Sequence, residues 1–227
     1  CSSPSWCSGP VACSPRPPAA TDKDTHMDFY LGLAQVIGVH TLLGLSANPL
    51  LRVPGGLILD SFMQQVNTLG APMIGLDASL VLVYRDEYVK ALGERRGDYQ
   101  VSLLHEWLGN QPLPTLQSSG VFKLLAHCTE KTALPATEKS WQQIFQQAGL
   151  SIQVVATGCC GMAGTYGHEA QNLDNSKALF DMSWRVPVEQ FGTEQILVTG
   201  FSCRSQVKRL VGDKPRHPLQ ALLAALA

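Results

Sequence analysis

The chain has 227 residues, which can bury one large hydrophobic core or two small ones. Hydrophobic residues make up 45% of it and charged residues 15%, so the composition is that of a globular protein. The formal net charge is −1, so the charge balance gives no indication of binding to nucleic acids or anionic membranes.

The N-terminal quarter lacks the pattern of a folded domain. Residues 1–26 are rich in Ser and Pro, which cannot build a core, and we predict a disordered tail there. Residues 29–47 are mostly apolar, but Gln35, His40 and Thr41 interrupt them and no Lys/Arg cluster flanks them. A membrane span is therefore disfavoured.

Regular apolar patterning begins near residue 57 and predicts a first α/β region. Asp77 or Ser79 can cap a helix that ends at Gly93. Residues 101–109 fit a helix or a strand, and we favour a helix. A proline-containing linker follows. The other predicted elements are a helix over 58–69, a buried strand over 72–76 and the capped helix up to residue 92.

The second half of the chain alternates apolar runs with helical patterns of ten to fifteen residues, which predicts parallel βαβ units. Ser202 is the predicted N-cap of one of these helices, and Gly149 and Gly212 end two others. The predicted strands cover 121–126, 152–156 and 195–199, and the predicted helices cover 137–149, 169–185, 202–210 and 217–226.

A faint internal repeat connects the two regions. Residues 74–80 and 197–203 each lead from a strand into a helix, and Leu80 stands where Cys203 stands in the second copy. The sequence thus predicts an α/β fold of two pseudo-repeated, Rossmann-like halves with parallel strands flanked by helices. The first half, 27–116, is degenerate and lacks cysteine ligands, whereas the second, 117–227, carries a metal-cluster site.

The seven cysteines are unevenly distributed. Three lie in the tail, and four lie at the ends of apolar runs: Cys128, Cys159, Cys160 and Cys203. An odd count with two adjacent cysteines argues against a disulfide framework. Because ligands bind at the carboxyl ends of parallel strands, we expect these four thiols on one edge of the sheet. Two buried small side chains are the alternative for the adjacent pair, but flanking glycines are unusual in a core strand.

Four thiols form a complete ligand set for a soft metal, namely zinc, copper(I) or an iron–sulfur cluster. Adjacent ligands on a glycine-rich loop favour a cluster, because neighbouring thiols can reach different irons. Amides of Gly161, Gly164 and Gly167 can donate hydrogen bonds to cluster sulfurs. The spacing of these glycines does not match a dinucleotide-binding fingerprint.

Three further side chains are candidate cofactor-binding groups. His127 adjoins Cys128, and His168 ends the glycine loop, so each can support the centre from outside the ligand set. Arg204 can offset the negative charge of a thiolate cluster. A thiol nucleophile, with Cys128 beside His127 or Cys160 beside His168, is the alternative; no third orienting group is evident.

Three motifs resemble a known family. They are HCTEK at 127–131, GCCGMAGTYGHE at 158–169 and TGFSCRSQVKR at 199–209. They are similar to the C-terminal part of large bacterial FAD- and iron–sulfur-containing oxidoreductases of the D-2-hydroxyglutarate dehydrogenase type. This type is related to the iron–sulfur subunit of glycolate oxidase, and its cysteine-rich CCG domain is shared with heterodisulfide reductase.

The resemblance implies that the four thiols hold an iron–sulfur cluster, of the 4Fe–4S type, or zinc as in some relatives. The CCG pattern ends in CxxC, but its first cysteine is Gly200 here, which leaves an ordinary four-thiolate cluster or zinc open. The resemblance also implies a cytoplasmic electron-transfer domain, at most peripheral to the inner membrane. Its partners would be the flavin and ferredoxin-like domains of the parent enzyme, where FAD oxidises a 2-hydroxy acid.

Overall fold

The computed structural model describes residue 61 and residues 63–115, 120–164 and 166–226. The predicted tail, residues 29–47 and the start of the first predicted helix lie outside the described residues. Residues 63–68 are helical, which agrees with the described part of the helix predicted over 58–69. In the described part of the chain, every helix is too short or too polar to cross a membrane.

The first region contains two short parallel strands and the helices that follow them. Met73 lies opposite Val101 and Gly75 opposite Leu103 in the strand pair. The helix after the first strand is continuous, with a π-helical middle at Val83–Glu87 between two α-helical segments. The elements are β1 (Met73–Gly75), α1 (Ala78–Leu82), α2 (Tyr88–Leu92), β2 (Val101–Leu103) and α3 (Leu104–Leu108).

The helix predicted over 101–109 is wrong in its first part. Val101 and Leu103 are buried and Ser102 between them is not, so these residues form a strand against β1. The helix begins only at Leu104, where the Glu106 carboxylate accepts a hydrogen bond from the Leu103 amide at 2.8 Å. Pairing with a strand 28 positions earlier is a long-range effect that local periodicity does not report.

The second region contains a three-stranded parallel sheet in the order β4-β3-β5. Its strands agree with the predicted ones to within two residues, and the predicted parallel α/β class is confirmed. The elements are β3 (Val121–Leu125), α4 (Cys128–Ala133), α5 (Thr137–Gln147), β4 (Ser151–Val154), α6 (Leu173–Ser183), α7 (Arg185–Gln195), β5 (Ile196–Val198), α8 (Phe201–Val211) and α9 (Pro218–Leu226).

Two helix predictions need correction. The helix predicted over 169–185 begins at Leu173, after two 3-10 turns, and a second helix, α7, follows it directly. The sequence did not predict α7, because Pro187 and Gly192 are residues that usually interrupt helices. The backbone is kinked at Gly192, where φ is 71°. Ser202 is not the N-cap of α8, because that helix begins one residue earlier with Gly200 at the N-cap position.

Apolar side chains from both layers bury the second sheet. Trp141 and Phe145 of α5 pack on one side of it with Leu222 of α9, and Phe180 and Trp184 pack on the other. The described residues do not show two clear Rossmann halves, since one sheet has two strands and the other three. The carboxyl ends of β3, β4 and β5 nevertheless open at one edge, and the cysteines follow each of them.

Candidate metal centre

The second sheet delivers its four cysteines to one edge. Cys128 is the first residue of α4, which follows soon after β3 ends at Leu125. Cys159 and Cys160 lie on the loop after β4, and Cys203 lies in the first turn of α8 after β5. Cys160 and Cys203 are buried, whereas Cys128 and Cys159 are half-buried. The prediction that these four residues share one edge of the sheet is confirmed.

The four thiols interact with one another: Cys159 with Cys128 and Cys160, and Cys203 with Cys160 and Cys128. The hydrogen bond from Cys203 lowers the pKa of Cys160 to about 7. The same bond, together with burial, raises the pKa of Cys203 well above the ordinary range. Burial raises the pKa of Cys159 as well, although the Gly161 amide donates to its sulfur at 3.3 Å. The thiol with the lowered pKa, Cys160, thus lies beside two thiols whose pKa is raised, Cys159 and Cys203.

Two glycines of the loop are required by close packing. Gly161 has φ of 88°, and a Cβ there would lie 2.1 Å from the Ser176 carbonyl oxygen. A Cβ at Gly167 would lie 2.7 Å from the Ser176 hydroxyl oxygen. Both contacts press the cysteine loop onto α6. The Gly167 amide donates to the Met162 carbonyl at 2.9 Å, so it is engaged within the loop, whereas Gly164 has open space around it.

His127 packs directly against Gly200. A Cβ at Gly200 would lie 2.3 Å from the His127 Cδ2 and 3.1 Å from the Cys203 sulfur. The imidazole is 7% exposed; its Nε2 lies 3.5 Å from the Ser202 hydroxyl, and its Nδ1 has no hydrogen-bond partner among the described residues. The structure therefore places His127 beside Cys203, in space that any side chain at position 200 would occupy.

Asp77 brings the first region to the thiols. One carboxylate oxygen caps α1 by accepting from the Ser79 amide at 3.0 Å, and the other accepts from the Phe201 amide of α8 at 3.1 Å. Burial alone would raise the pKa of Asp77, but the hydrogen bonds from Ser79 and the charge of His127 outweigh it, so the pKa is lowered. The sequence predicted the cap on α1 and missed the second contact, because it joins residues 124 positions apart.

A buried carboxylate fixes the helix that carries Cys128. Glu130 accepts hydrogen bonds from the hydroxyls of Thr137 and Thr199, both at 2.5 Å, and lies 3.4 Å from the His105 Nδ1. Burial lowers the pKa of His105. The Thr199 hydroxyl in turn accepts from the His127 amide at 2.9 Å, so the ends of β3 and β5 are tied together. In the sequence, a glutamate among threonines shortly after a predicted strand is the feature that could have indicated this network.

Two further predicted cofactor-binding residues, His168 and Arg204, lie on the elements that carry or follow the thiols. His168 is exposed on the 3-10 turn Tyr166–His168. The Arg204 guanidinium donates to the Pro215 carbonyl at 3.0 Å and to Gln220 at 2.8 Å, and burial lowers its pKa. Their roles at a metal centre stay predictions. In the described ranges, neither Cys128 with His127 nor Cys160 with His168 forms the hydrogen bond that a nucleophile and its base require.

The donor set fits a metal centre in its chemistry, because four clustered thiols are the ligands of soft metals. Its present arrangement does not fit one ion: within the ranges that the structure describes, no three His, Cys, Asp or Glu side chains converge on a single metal position.

Comparison with known proteins identifies relatives of this chain by sequence. The chain is similar to one segment of D-2-hydroxyglutarate dehydrogenases. It is 52% identical over 166 residues to the Pantoea ananatis enzyme and 48% identical over 166 residues to the Escherichia coli enzyme. In both cases the match covers 71% of this chain, which spans only 16% of the length of those relatives.

A more distant relative is one of the subunits of the anaerobic glycerol-3-phosphate dehydrogenase of Escherichia coli. It is 26% identical over 179 residues, which cover 74% of this chain and 44% of that relative. No family model matches the chain, and no solved structure matches it significantly. The named relatives are dehydrogenases, so this chain is similar to part of an oxidoreductase.

Proposed function

We propose that this chain is an electron-transfer domain of a flavin-dependent 2-hydroxy acid dehydrogenase, with D-2-hydroxyglutarate as the substrate that its relatives' names suggest. The observation that carries the proposal is the group of four interacting thiols at the carboxyl edge of one parallel sheet. The chain spans 16% of its relatives, so substrate oxidation and FAD belong to other domains of the parent enzyme in this proposal.

Cys128, Cys159, Cys160 and Cys203 would hold an iron–sulfur cluster, which accepts and releases single electrons. The described side chains contribute the surroundings. Burial of Cys160 and Cys203 excludes water from one side, and the half-buried Cys128 and Cys159 leave the other side open to a partner domain. Glu130 and Asp77 hold the two helices that carry Cys128 and Cys203 in fixed positions.

The position of the thiols in the chain favours a cluster over a single zinc ion. Cys159 and Cys160 are adjacent on a glycine-rich loop, so these two ligands can reach different irons. Zinc in a structural role remains an outcome that metal analysis distinguishes.

The proposal extends to the organisation of the parent enzyme. The first region would be a degenerate half that keeps the strand and helix of the second half without its thiols. The partners would be the flavin and ferredoxin-like domains of a cytoplasmic enzyme, at most peripheral to the membrane. Arg204, which is half-buried on α8, and His168, which is exposed beside the cysteine loop, would then face those partners.

Redox cycling of the anaerobically purified protein tests this function. We expect visible thiolate-to-iron absorption that bleaches with dithionite and returns on oxidation. The variant Cys160→Ser should lose this absorption, because it removes a buried ligand that interacts with both Cys159 and Cys203. Cys13→Ser is the matched control in the Ser/Pro-rich tail and should keep it. A colourless wild-type protein, or equal absorption in Cys160→Ser, would refute the proposal.

One observation favours a second candidate, a metal-free thiol enzyme. The hydrogen bond from Cys203 lowers the pKa of Cys160 to about 7, which makes its thiolate available at neutral pH. In a metal-free protein, alkylation of Cys160 by iodoacetamide should therefore show a midpoint near pH 7. Protection of all four thiols by a bound metal would exclude this candidate.

A further inference from the structure

The C-terminal part of the chain carries an excess of positive charge. Between positions 204 and 216 the sequence has one carboxylate and five cations, so the local charge is +4 in a chain whose net charge is −1. The cations are Arg204, Lys208, Arg209, Lys214 and Arg216. Cations gathered in one segment create a local positive potential, which attracts acidic groups.

The charge of these cations is not neutralised by ion pairs. In the part of the chain that the structure describes, all ion pairs lie within residues 85–189. The three arginines are nevertheless fixed, because each donates hydrogen bonds to neutral groups. These are the Pro215 carbonyl and the Gln220 side chain for Arg204, the Gly167 carbonyl for Arg209 and the Glu194 carbonyl for Arg216.

Part of this charge forms a surface on the helix that carries Cys203. Phe201, Arg204 and Lys208 follow one another at three and four residues, so they lie on one face of α8. The Lys214 Nζ lies 4.8 Å from the centre of the Phe201 ring, which brings the loop after α8 back to the start of this face. Phe201 is 63% exposed, and both lysines are exposed. We call these four residues the α8 patch.

The like charges of the α8 patch repel one another in the folded protein. Burial lowers the pKa of Lys214, and the charges of Arg204 and Lys208 lower it further. Because this repulsion weakens the fold, stability does not explain the arrangement. An exposed aromatic ring beside arginine and lysine is typical of a protein-binding surface, where the ring provides apolar contact and the charges orient the partner.

We propose that the α8 patch docks the acidic face of an electron-transfer protein or domain. The inference rests on the proposed function, which gives the reason for such a partner: Cys203 lies buried on the inner side of the helix that exposes Phe201. Electrostatic attraction over a small area gives fast association and a short-lived complex, which suits repeated electron transfer.

The rigidity of the charges favours a folded protein over a lipid surface as the partner. Arg204 is held by two hydrogen bonds, at 3.0 Å to the Pro215 carbonyl and at 2.8 Å to Gln220. A guanidinium in a fixed orientation can match a carboxylate at a fixed position. Attraction to anionic lipids needs only a number of basic residues near the surface and no fixed pattern.

Binding of the full chain to a plant-type ferredoxin, a small acidic electron-transfer protein, tests the proposal. We expect reversible binding at low ionic strength by titration calorimetry. The binding should weaken as salt is added, because charges are screened beyond about 8 Å at physiological ionic strength. Cytochrome c, a small basic electron-transfer protein, is the control probe and should not bind. Absence of ferredoxin binding at low ionic strength would overturn the inference.

Three variants locate the binding surface. Lys208→Glu should weaken ferredoxin binding about tenfold at low ionic strength. Lys139→Glu is the matched control, because Lys139 is an exposed lysine on α5 and the net charge changes by the same amount. Phe201→Ala should weaken binding at low and high ionic strength alike, since it removes an apolar contact. An equal loss in Lys139→Glu would show that net charge governs the binding, and would overturn the inference.

Two comparisons separate this inference from its alternatives. Vesicles that contain phosphatidylglycerol are a second probe and should bind more weakly than ferredoxin; tighter binding to the vesicles would overturn the inference in favour of a membrane surface. The binding assay does not depend on a metal. A protein with an iron–sulfur cluster and no ferredoxin binding would overturn this inference alone, whereas a metal-free protein that binds ferredoxin would overturn the proposed function and keep the acidic-partner surface.

Discussion

Both regions contain a junction from a strand into a helix at corresponding positions, but the two junctions have different roles. In the first region, Asp77 is the N-cap of α1 and Leu80 follows three residues later. In the second, Gly200 is the N-cap of α8 and Cys203 follows three residues later. Leu80 packs into the hydrophobic core of its own region, whereas Cys203 is buried among the thiols.

This difference shows that the junction itself does not make a metal site. A leucine at the third helical position makes it a packing element, and a cysteine there makes it a ligand. The first region still serves the second, because the Asp77 carboxylate reaches across and accepts from the Phe201 amide. The region without thiols thus contributes an oriented carboxylate to the region that has them.

The largest loss of stability is expected for a glycine substitution in the cysteine loop, compared with one in the first region. Gly161→Ala combines positive φ with a Cβ at 2.1 Å from the Ser176 oxygen, so we expect about 4 kcal/mol of lost stability. Gly93→Ala in the first region has positive φ but open space around it, and should cost about 2 kcal/mol. Urea unfolding measures both. Equal losses would show that the loop is not pressed onto α6.

The next effect compares one buried histidine from each region. Burial lowers the pKa of His217 to about 3, whereas burial of His105 is opposed by the neighbouring Glu130. As the pH falls, His217 is therefore protonated at a higher pH in the unfolded chain than in the folded protein. The stability from a neutral His217 is complete above pH 6.5 and is lost at about 1.4 kcal/mol per pH unit as the pH falls towards 3.

Urea unfolding at pH 7, 6 and 5 measures this slope. His217→Phe should reduce the slope of the free energy of unfolding against pH by the equivalent of nearly one proton. His105→Phe should reduce this slope less. The same slope in His217→Phe and in the wild type would contradict the assignment. A larger change in His105→Phe would show that the first region, and not the second, controls the response to acid.

A smaller effect tests the contact between the regions. Asp77→Ala removes the acceptor for the amides of Ser79 and Phe201, and should cost about 2 kcal/mol. Ser202→Ala is the control, because Ser202 was the predicted cap of α8 but lies inside the helix; it loses only the 3.5 Å contact with the His127 Nε2 and should cost about 1 kcal/mol at most. A larger loss in Ser202→Ala would reverse the roles of the two residues.

The sequence predicted what depends on local pattern. The strands leading to Cys128, Cys159 and Cys203 were located because apolar runs and glycine stops repeat over short distances. The edge of the sheet where the thiols meet followed from parallel topology alone. The helix α7 was missed because Pro187 and Gly192 usually interrupt helices. Here Pro187 lies in the first turn, where a proline is tolerated, and Gly192 kinks the backbone near the end.

The remaining features of the site depend on contacts between distant residues. Asp77 with Phe201, Glu130 with Thr199, and His127 with Gly200 are separated by 124, 69 and 73 positions. Hydrophobic periodicity contains no information about such pairs, because it reports which face of an element is buried and not what lies against it. Polar partners of buried groups therefore had to be found in the folded chain.

The central claim is that four thiols at one sheet edge form a single metal centre. Iron, zinc and acid-labile sulfide per chain, determined on anaerobically purified wild-type protein, test it most directly. The account predicts iron and sulfide in equal amounts, with little zinc. One zinc per chain without sulfide would keep the site and contradict the cluster. No metal with four freely alkylated thiols would contradict the claim itself.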